Sequence, residues 1–569
     1  MNKILSSLML STTALLLSAC GGSNAPAGLQ ANHPTAGQLL QNPPPRLVSL
    51  TANDFTSELM GGGSQGQSLL ALSTGDATGK TPLKCGVDVY YIQFATVDGQ
   101  NLPATSSGAV MVPTGATGCN GTRPIVEYAH GTNFDHNYNI ANLADSSNPA
   151  YGESLMIAAM YAANGYIVVA PNYVGYDSSS TTYHPYLVKA QQAADMINAL
   201  KSARSALPYL LTATGDNGKL YLTGYSQGGY VALAAEQAME NQGMTVTASA
   251  PGSGPYALSA FVDYIFMGHP NLGSSRLGVI LSEGYQGSYG NVYSSPYDLF
   301  TPGNYVTMPY ADLNQDQSSP VQLYTTPMFS TTLPSLSNVT AMPGASTSTL
   351  LNDFSSLSLA NSTTPPSGSS YTNLVIWNEL FSTSSPSDYA SKLLPLYSMY
   401  TGPGFVMNQT FRANYLADAY ANMDNLFAST STDRPNTAAT LAFRQDLIKN
   451  DLRGYVPQSP TMLCGGHADP MVFYPINTLV MQNEWGNPAG TRLSLDVDNL
   501  TSTSLTPMTG LPASVVGIMT AAQMTFQSLY QSILTANGGN TAKMLPYYHP
   551  VIVAESCAVA ALGYFNSFN

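Results

Sequence analysis

Apolar positions in the first half of this chain follow two alternating rhythms. Short continuous runs rich in β-branched residues, at 87–94, 108–112, 124–128 and 167–170, read as strands, the last buried on both faces. A turn around Asp98-Gly99 joins the first two. Helical spacing marks 153–164 and 187–205. A further strand, 220–222, runs into a glycine-rich turn and an Ala-rich helix at 230–240, and 244–248 follows as a strand. Strands alternating with helices predict a doubly wound, mostly parallel α/β sheet.

That rhythm breaks after Ala250-Pro251-Gly252-Ser253-Gly254-Pro255-Tyr256. Helical patterns then dominate, at 256–267, 374–381, 390–397, 410–427 and 437–450, with a Ser/Thr/Pro-rich stretch at 318–370 between them. The α/β pattern returns with a strand at 459–465, a helix at 475–484 and a strand at 492–497. A Thr/Ser-rich loop at 499–510, a helix at 513–536 and a terminal helix at 551–565 complete it. A pattern that resumes argues for an insertion rather than an appended domain. Residues 81–255 and 457–569 are therefore expected to form one α/β domain, and 256–456 a large, mainly helical cap over its active site.

The N-terminus is of another kind. Lys3 precedes an apolar stretch, 4–17, too short to span a bilayer, so 1–19 reads as a signal peptide. Leu17-Ser18-Ala19-Cys20 reads as a bacterial lipobox, with Cys20 as the acylated residue. Gly21 follows it where Asp would favour retention in the inner membrane. The resemblance to Gram-negative lipoproteins implies the outer membrane. No later apolar run is long enough to span, so the lipid is the expected membrane contact. Residues 20–80, which include Asn42-Pro43-Pro44-Pro45, read as a tether with a partly ordered segment at 46–74. The ordered core is expected to begin near Cys85.

Composition narrows the partners. Charged residues make up 9% of the chain and the formal net charge is −14, so no basic stripe exists to neutralise nucleic-acid phosphates. Of five cysteines, four remain once Cys20 carries the lipid. An even count in an oxidising compartment implies two disulfides. Cys85–Cys119 and Cys464–Cys557 are preferred, because each pair falls within one sequence-local half of the α/β domain. Neither C-x-x-C nor H-x-x-x-H spacing occurs, and neither metal nor cofactor is expected.

The chemistry gathers around Gly224-Tyr225-Ser226-Gln227-Gly228-Gly229. Strand, sharp turn and helix are the setting in which G-x-S-x-G forms a nucleophile elbow. Small neighbours let the serine adopt strained backbone. A serine hydroxyl needs a base, and the base an orienting acid, in the chain order Ser, acid, His. Two histidines follow the insertion, His467 and His549. His549 is preferred as base because it sits just before the terminal helix. His136, His184 and His269 precede every acid candidate, and His33 lies in the tether. Asp469, after a strand and Gly465-Gly466, is the preferred acid. Asp496 and Asp498 are second choices, while Asp446 and Asp451 look like solvated surface. The oxyanion hole requires two amides, one from Gln227 and one from the His130-Gly131-Thr132 loop, either Gly131 or Thr132. His130 is expected to shape that loop.

Tyr128-Ala129-His130-Gly131-Thr132, the run from Gly165 to Tyr176, His184-Pro185-Tyr186-Leu187 and the elbow occur in that order. Together they resemble secreted α/β-hydrolase lipases and esterases of the kind related to the fungal secretory lipases. The resemblance covers 87–256 by motif and 462–565 by triad order alone. It departs at Asn172, where relatives often have Asp. It implies cleavage of carboxylic esters or lipids through an acyl-serine intermediate. A serine peptidase on the same fold and a non-catalytic surface binding protein are the alternatives. The first lacks a visible charge cluster for a peptide end, and the second is opposed by the intact Ser226, Asp469 and His549.

Overall fold

The computed structural model describes residues 34–115, 118–212, 214–266, 271–300, 406–422, 435–486, 491–498 and 513–569. The signal peptide, Cys20, His33, His269, the 318–370 stretch, the helices at 374–381 and 390–397 and the 499–510 loop lie outside them.

Nine strands form one sheet: β1 (Arg46–Leu50), β2 (Gly86–Val97), β3 (Pro103–Thr114), β4 (Gly121–Ala129), β5 (Ile167–Pro171), β6 (Thr214–Tyr225), β7 (Ala248–Gly252), β8 (Thr461–Gly465) and β9 (Arg492–Asp496). Their order across the sheet is β1-β2-β3-β5-β4-β6-β7-β8-β9. The β1–β2, β2–β3 and β3–β5 pairs are antiparallel, and every pair from β5 onward is parallel. β7 and β8 are neighbours although the insertion separates them in sequence, so the two halves make one sheet.

Helices cover both faces. The hairpin α1 (Ala52–Gly61) and α2 (Gly63–Thr74) precedes β2, and α3 (Tyr151–Met160), α4 (Lys189–Ala206) and α5 (Gln227–Asn241) follow β4, β5 and β6. The insertion contributes α6 (Leu258–Phe266), α7 (Ser274–Tyr289), α8 (Pro296–Leu299), α9 (Gln409–Ala421) and α10 (Ala442–Asn450). The second half adds α11 (Thr478–Trp485), α12 (Ala513–Ala536) and α13 (Ala554–Asn566). Strand alternation divides the core: Val126 and Val168 face one side, Ile125, Ile167 and Val169 the other. Each such side chain, fully buried, contributes about 1.5–3 kcal/mol.

Four expectations need correction. Order begins well before Cys85: Leu40 donates its amide to Gln93, β1 pairs with β2, and Phe55, Leu59 and Leu70 are fully buried. Those apolar residues were hidden in a polar composition. The strand after α5 is Ala248–Gly252, not 244–248. Val246 is buried on the approach, but the ladder with β6 starts only where Ala248 meets Tyr221. Small residues are used there because backbone packs closely; a Cβ on Gly229 would lie 2.1 Å from the Gly252 carbonyl oxygen. The terminal helix starts earlier, as a π-helical segment, Tyr548–Val553, running into α13. Such segments are frequent at functional sites. Finally, Asp446 and Asp451 are buried, not solvated. Asp451 accepts the Ser259 amide and pairs with Arg453.

Both expected disulfides are present, Cys85–Cys119 and Cys464–Cys557, each with a Cα–Cα distance of 5.7 Å. In the described part of the insertion, the buried Arg444 guanidinium bridges Asp263 of α6 (2.7 Å) and Asp418 of α9 (2.9 Å). Losing one partner of such a buried network costs about 3–5 kcal/mol, because a charge is left uncompensated.

Candidate active site

Ser226 lies between β6 and α5 with φ 59° and ψ −120°, a conformation costly for any residue with a side chain. Its amide donates to the Gly252 carbonyl (2.9 Å), which fixes the turn against β7. The flanking glycines are sterically required. A Cβ on Gly224 would sit 2.4 Å from both the Ala129 and Gly228 carbonyl oxygens. One on Gly228 would sit 1.9 Å from the Ala129 oxygen.

Eighty residues apart in sequence, His549 and Asp469 meet: His549 Nδ1 lies 2.6 Å from Asp469 Oδ2. Both are buried. Asp469 Oδ1 accepts the amides of Met471 (2.9 Å) and Val472 (3.1 Å), and Oδ2 also accepts the Ser253 hydroxyl (2.7 Å). A carboxylate held by this many donors is fixed in orientation. It therefore selects the tautomer with the proton on Nδ1. Tyr225, beside the serine, donates its hydroxyl to the His549 carbonyl (2.7 Å) and so ties elbow to histidine. The His549 Nε2 atom is buried and has no hydrogen-bond partner among the described residues.

The second-choice residues are engaged elsewhere. His467 Nδ1 faces Asp496 Oδ2 at 3.3 Å, and Asp498 accepts the Tyr548 hydroxyl. Neither His467 nor these two carboxylates lines the cavity that holds Ser226 and His549.

That cavity has a volume of about 890 Å³. Gly131, Thr132, Ser226, Gln227 and His549 all contribute to its wall. Gly131 does not offer its amide to the cavity; it donates to Glu153 Oε1 (3.0 Å). The same carboxylate accepts the Tyr128 hydroxyl on Oε1 (2.7 Å) and the Tyr138 hydroxyl on Oε2 (2.8 Å). The amides of Thr132 and Gln227 have no acceptor among the described residues. His130 is buried and stacks between Tyr138 and Tyr173, at 4.3 and 4.1 Å between ring centroids. Asn172 uses its amide in both directions: Oδ1 accepts from the Ile140 amide, and Nδ2 donates to the Ser107 hydroxyl. An ionised Asp would have no proton to offer Ser107.

Insertion helices contribute a continuous part of the apolar wall, through Leu258, Phe261, Val262 and Ile265 of α6 and Leu277 and Leu281 of α7. Three features had no sequence signal strong enough to find them. The α1–α2 hairpin lines the cavity through Glu58, Leu59 and Leu69. Ser253 reaches Asp469 only because the two halves of the sheet adjoin. Glu555, six residues beyond His549, also lines the cavity, and burial pushes its carboxyl up to about 7. No group of three or more His, Cys, Asp or Glu able to hold a metal ion occurs among the described residues.

A mostly parallel sheet, an elbow serine after β6, the Asp469-bearing loop after β8 and a histidine before the last helix define an α/β-hydrolase fold. Solved structures agree. The chain is similar to the rice cell wall degrading esterase LipA from Xanthomonas oryzae, with TM-score 0.53 and 24% identity over 82% of this chain and 92% of that one. For a ligand-bound form of the same esterase, the TM-score is 0.54 at 23% identity over 92% and 97% of the two chains. At such identities the likeness establishes the fold. No family model and no curated protein sequence matches the chain.

Proposed function

We propose that this chain hydrolyses carboxylic esters with Ser226 as nucleophile, His549 as base and Asp469 as orienting acid. The observation that carries the proposal is the Asp469–His549 pair, whose free Nε2 belongs to the same cavity wall as the strained Ser226. With Nδ1–H held by Asp469, Nε2 carries the lone pair that takes the Ser226 hydroxyl proton as Oγ attacks the ester carbonyl. The Gln227 and Thr132 amides stabilise the developing oxyanion. Collapse of the tetrahedral intermediate expels the alcohol, which receives the proton from His549. Water, deprotonated by His549, then releases the acid and regenerates Ser226.

The acyl group belongs against the apolar wall of α6 and α7. A cavity of about 890 Å³ is at the large end of ligand sites, which span roughly 300–1,000 Å³. The structural neighbour's activity on plant cell walls is consistent with an extracytoplasmic esterase. We further propose export and acylation at Cys20, with the outer membrane as destination. No described helix is long and apolar enough to cross a membrane.

A fluorophosphonate probe tests the nucleophile: it should label the protein, and Ser226→Ala should abolish labelling. p-Nitrophenyl esters from acetate to palmitate, run beside aminoacyl amides, test the substrate class. Turnover of amides but not esters would overturn it in favour of a peptidase. Absence of labelling would point to a binding protein. His467→Ala should retain activity that His549→Ala loses, and the reverse would reject the base assignment. Palmitate incorporation should disappear in Cys20→Ala; retention would reject the anchor.

A further inference from the structure

The His184-Pro185-Tyr186 turn carries polar groups that the mechanism above does not use. It follows β5 and precedes α4, remote in sequence from both oxyanion donors. Yet His184 Nε2 lies 2.7 Å from Gln227 Nε2, and the Tyr186 hydroxyl lies 2.9 Å from Thr132 Oγ1. One turn thus holds the side chains of both residues whose amides have no acceptor among the described residues.

The geometry fixes the roles within the first contact. His184 Nδ1 is 2.8 Å from the Val174 carbonyl oxygen, an acceptor, so Nδ1 carries the proton. Nε2 is then an acceptor, and the Gln227 side-chain amide donates to it. Burial depresses the His184 imidazole to about 3, so the ring stays neutral and the contact survives at every working pH. The turn is itself rigid. His184 is fully buried, its ring packs against Tyr173 and Tyr176, and its carbonyl accepts the Tyr186 amide at 2.8 Å. A Cβ on Gly175 would lie 2.6 Å from the His184 Cα, so the preceding loop is pressed directly against it.

We propose that the His184-Pro185-Tyr186 turn positions both oxyanion donors, the Gln227 amide through His184 and the Thr132 amide through Tyr186. The proposal rests on the ester-hydrolase reading. Backbone amides stabilise an oxyanion only when aimed at where charge develops, and Gln227 and Thr132 come from two separate loops. A common brace sets their separation. His184, which does not line the cavity, and Tyr186, which does, are assigned as positioning residues that act through Gln227 and Thr132.

The test uses Tyr186→Phe, Gln227→Met, His184→Leu and His184→Gln in the full chain. Each is assayed on p-nitrophenyl butyrate and against a trifluoromethyl ketone, which forms an oxyanion on the nucleophilic serine. Tyr186→Phe and Gln227→Met remove only side-chain contacts and keep both amides. Each should lower kcat about 10–100-fold, within the range of losing or displacing an oxyanion donor. KM should move less than about twofold, while the ketone's inhibition constant weakens by the same factor as kcat/KM falls. His184→Leu should match Gln227→Met. His184→Gln, which can return an acceptor to Gln227, should recover most of the rate. Folded Tyr186→Phe and Gln227→Met enzymes with wild-type kcat and ketone affinity would overturn the brace, even if His184→Leu failed to fold. A wild-type protein that neither hydrolyses esters nor binds the ketone would instead remove the hydrolase reading on which the brace rests.

Discussion

The two disulfides provide a comparison in which stability and activity should separate. Cys464–Cys557 closes a sequence separation of 93 and Cys85–Cys119 one of 34. Loop-closure entropy of the unfolded chain then gives about 4.7 kcal/mol for the first and about 3.8 kcal/mol for the second, a difference of about 0.9 kcal/mol. Their places in the fold differ far more than these values. Cys464 is in β8, whose following loop carries Asp469, and Cys557 is in α13, which continues the π-helical turn bearing His549. The bridge therefore clamps the Asp469 loop to the His549 segment around the 2.6 Å contact. Cys85–Cys119 joins the entries to β2 and β4, far along the chain from these residues. Replacing each pair by alanines, urea titration should give losses in the calculated order. Ester turnover, measured well below either unfolding midpoint, should fall more than about tenfold for Cys464→Ala/Cys557→Ala, since displacements near 1 Å cost about 100-fold. The Cys85→Ala/Cys119→Ala enzyme should stay within about twofold of wild type. Equal losses of kcat in the two variants would refute the clamp, and a larger stability loss at Cys85–Cys119 would refute the loop argument.

Four further outcomes follow from local packing and burial. Gly228→Ala should destabilise by about 3 kcal/mol or more, because its Cβ meets backbone rather than a mobile side chain. Gly517→Ala, in α12 with open space around it, should instead stabilise by about 0.5–1 kcal/mol; both are read by urea midpoint. Burial pushes the Glu236 carboxyl up to about 8. The folded state thus binds this proton more tightly than the unfolded state, and its stabilising contribution is lost as pH rises from the ordinary carboxylate range through about 8. The melting temperature of wild type should fall more between pH 5 and pH 8.5 than that of Glu236→Gln, and parallel curves would contradict this. Glu153→Gln keeps one acceptor oxygen for three donors, Gly131, Tyr128 and Tyr138. The loop carrying Thr132 should shift and kcat should fall about tenfold or more, with unchanged kinetics counting against that role.

What the sequence determined by itself was the local grammar. β-branched runs announced β2 to β5, because strands buried on both faces need apolar residues at every position. The glycines around Ser226 announced the elbow, because a positive φ at serine and close backbone approach leave room for nothing larger. The α/β rhythm resuming near residue 459 was expected to return to the same sheet, and there β7 pairs with β8. Cysteine count and locality were enough for the disulfides. Composition misled at the N-terminus, where Asn, Pro, Gly and Ser outnumber the few apolar residues that place α1 and α2 in the core. β7 was misplaced because Ala248-Ser249-Ala250-Pro251-Gly252 owes its strand to tight packing rather than to β-branched side chains.

Only the tertiary structure decided which groups converge. Ser253 lies far from Asp469 in sequence, and nothing local to either signals a 2.7 Å contact. Gly131 and Thr132 are adjacent and looked equivalent until Glu153 was found on the Gly131 amide. His184-Pro185-Tyr186 stood out as a motif, but its contact with two separate loops depends on how β5 and β6 lie beside β4. Periodicity reports which face of an element is buried; it carries no information about which distant polar atoms will share a hydrogen bond. Those pairings arise only when the chain closes on itself and desolvation makes each unmatched donor costly.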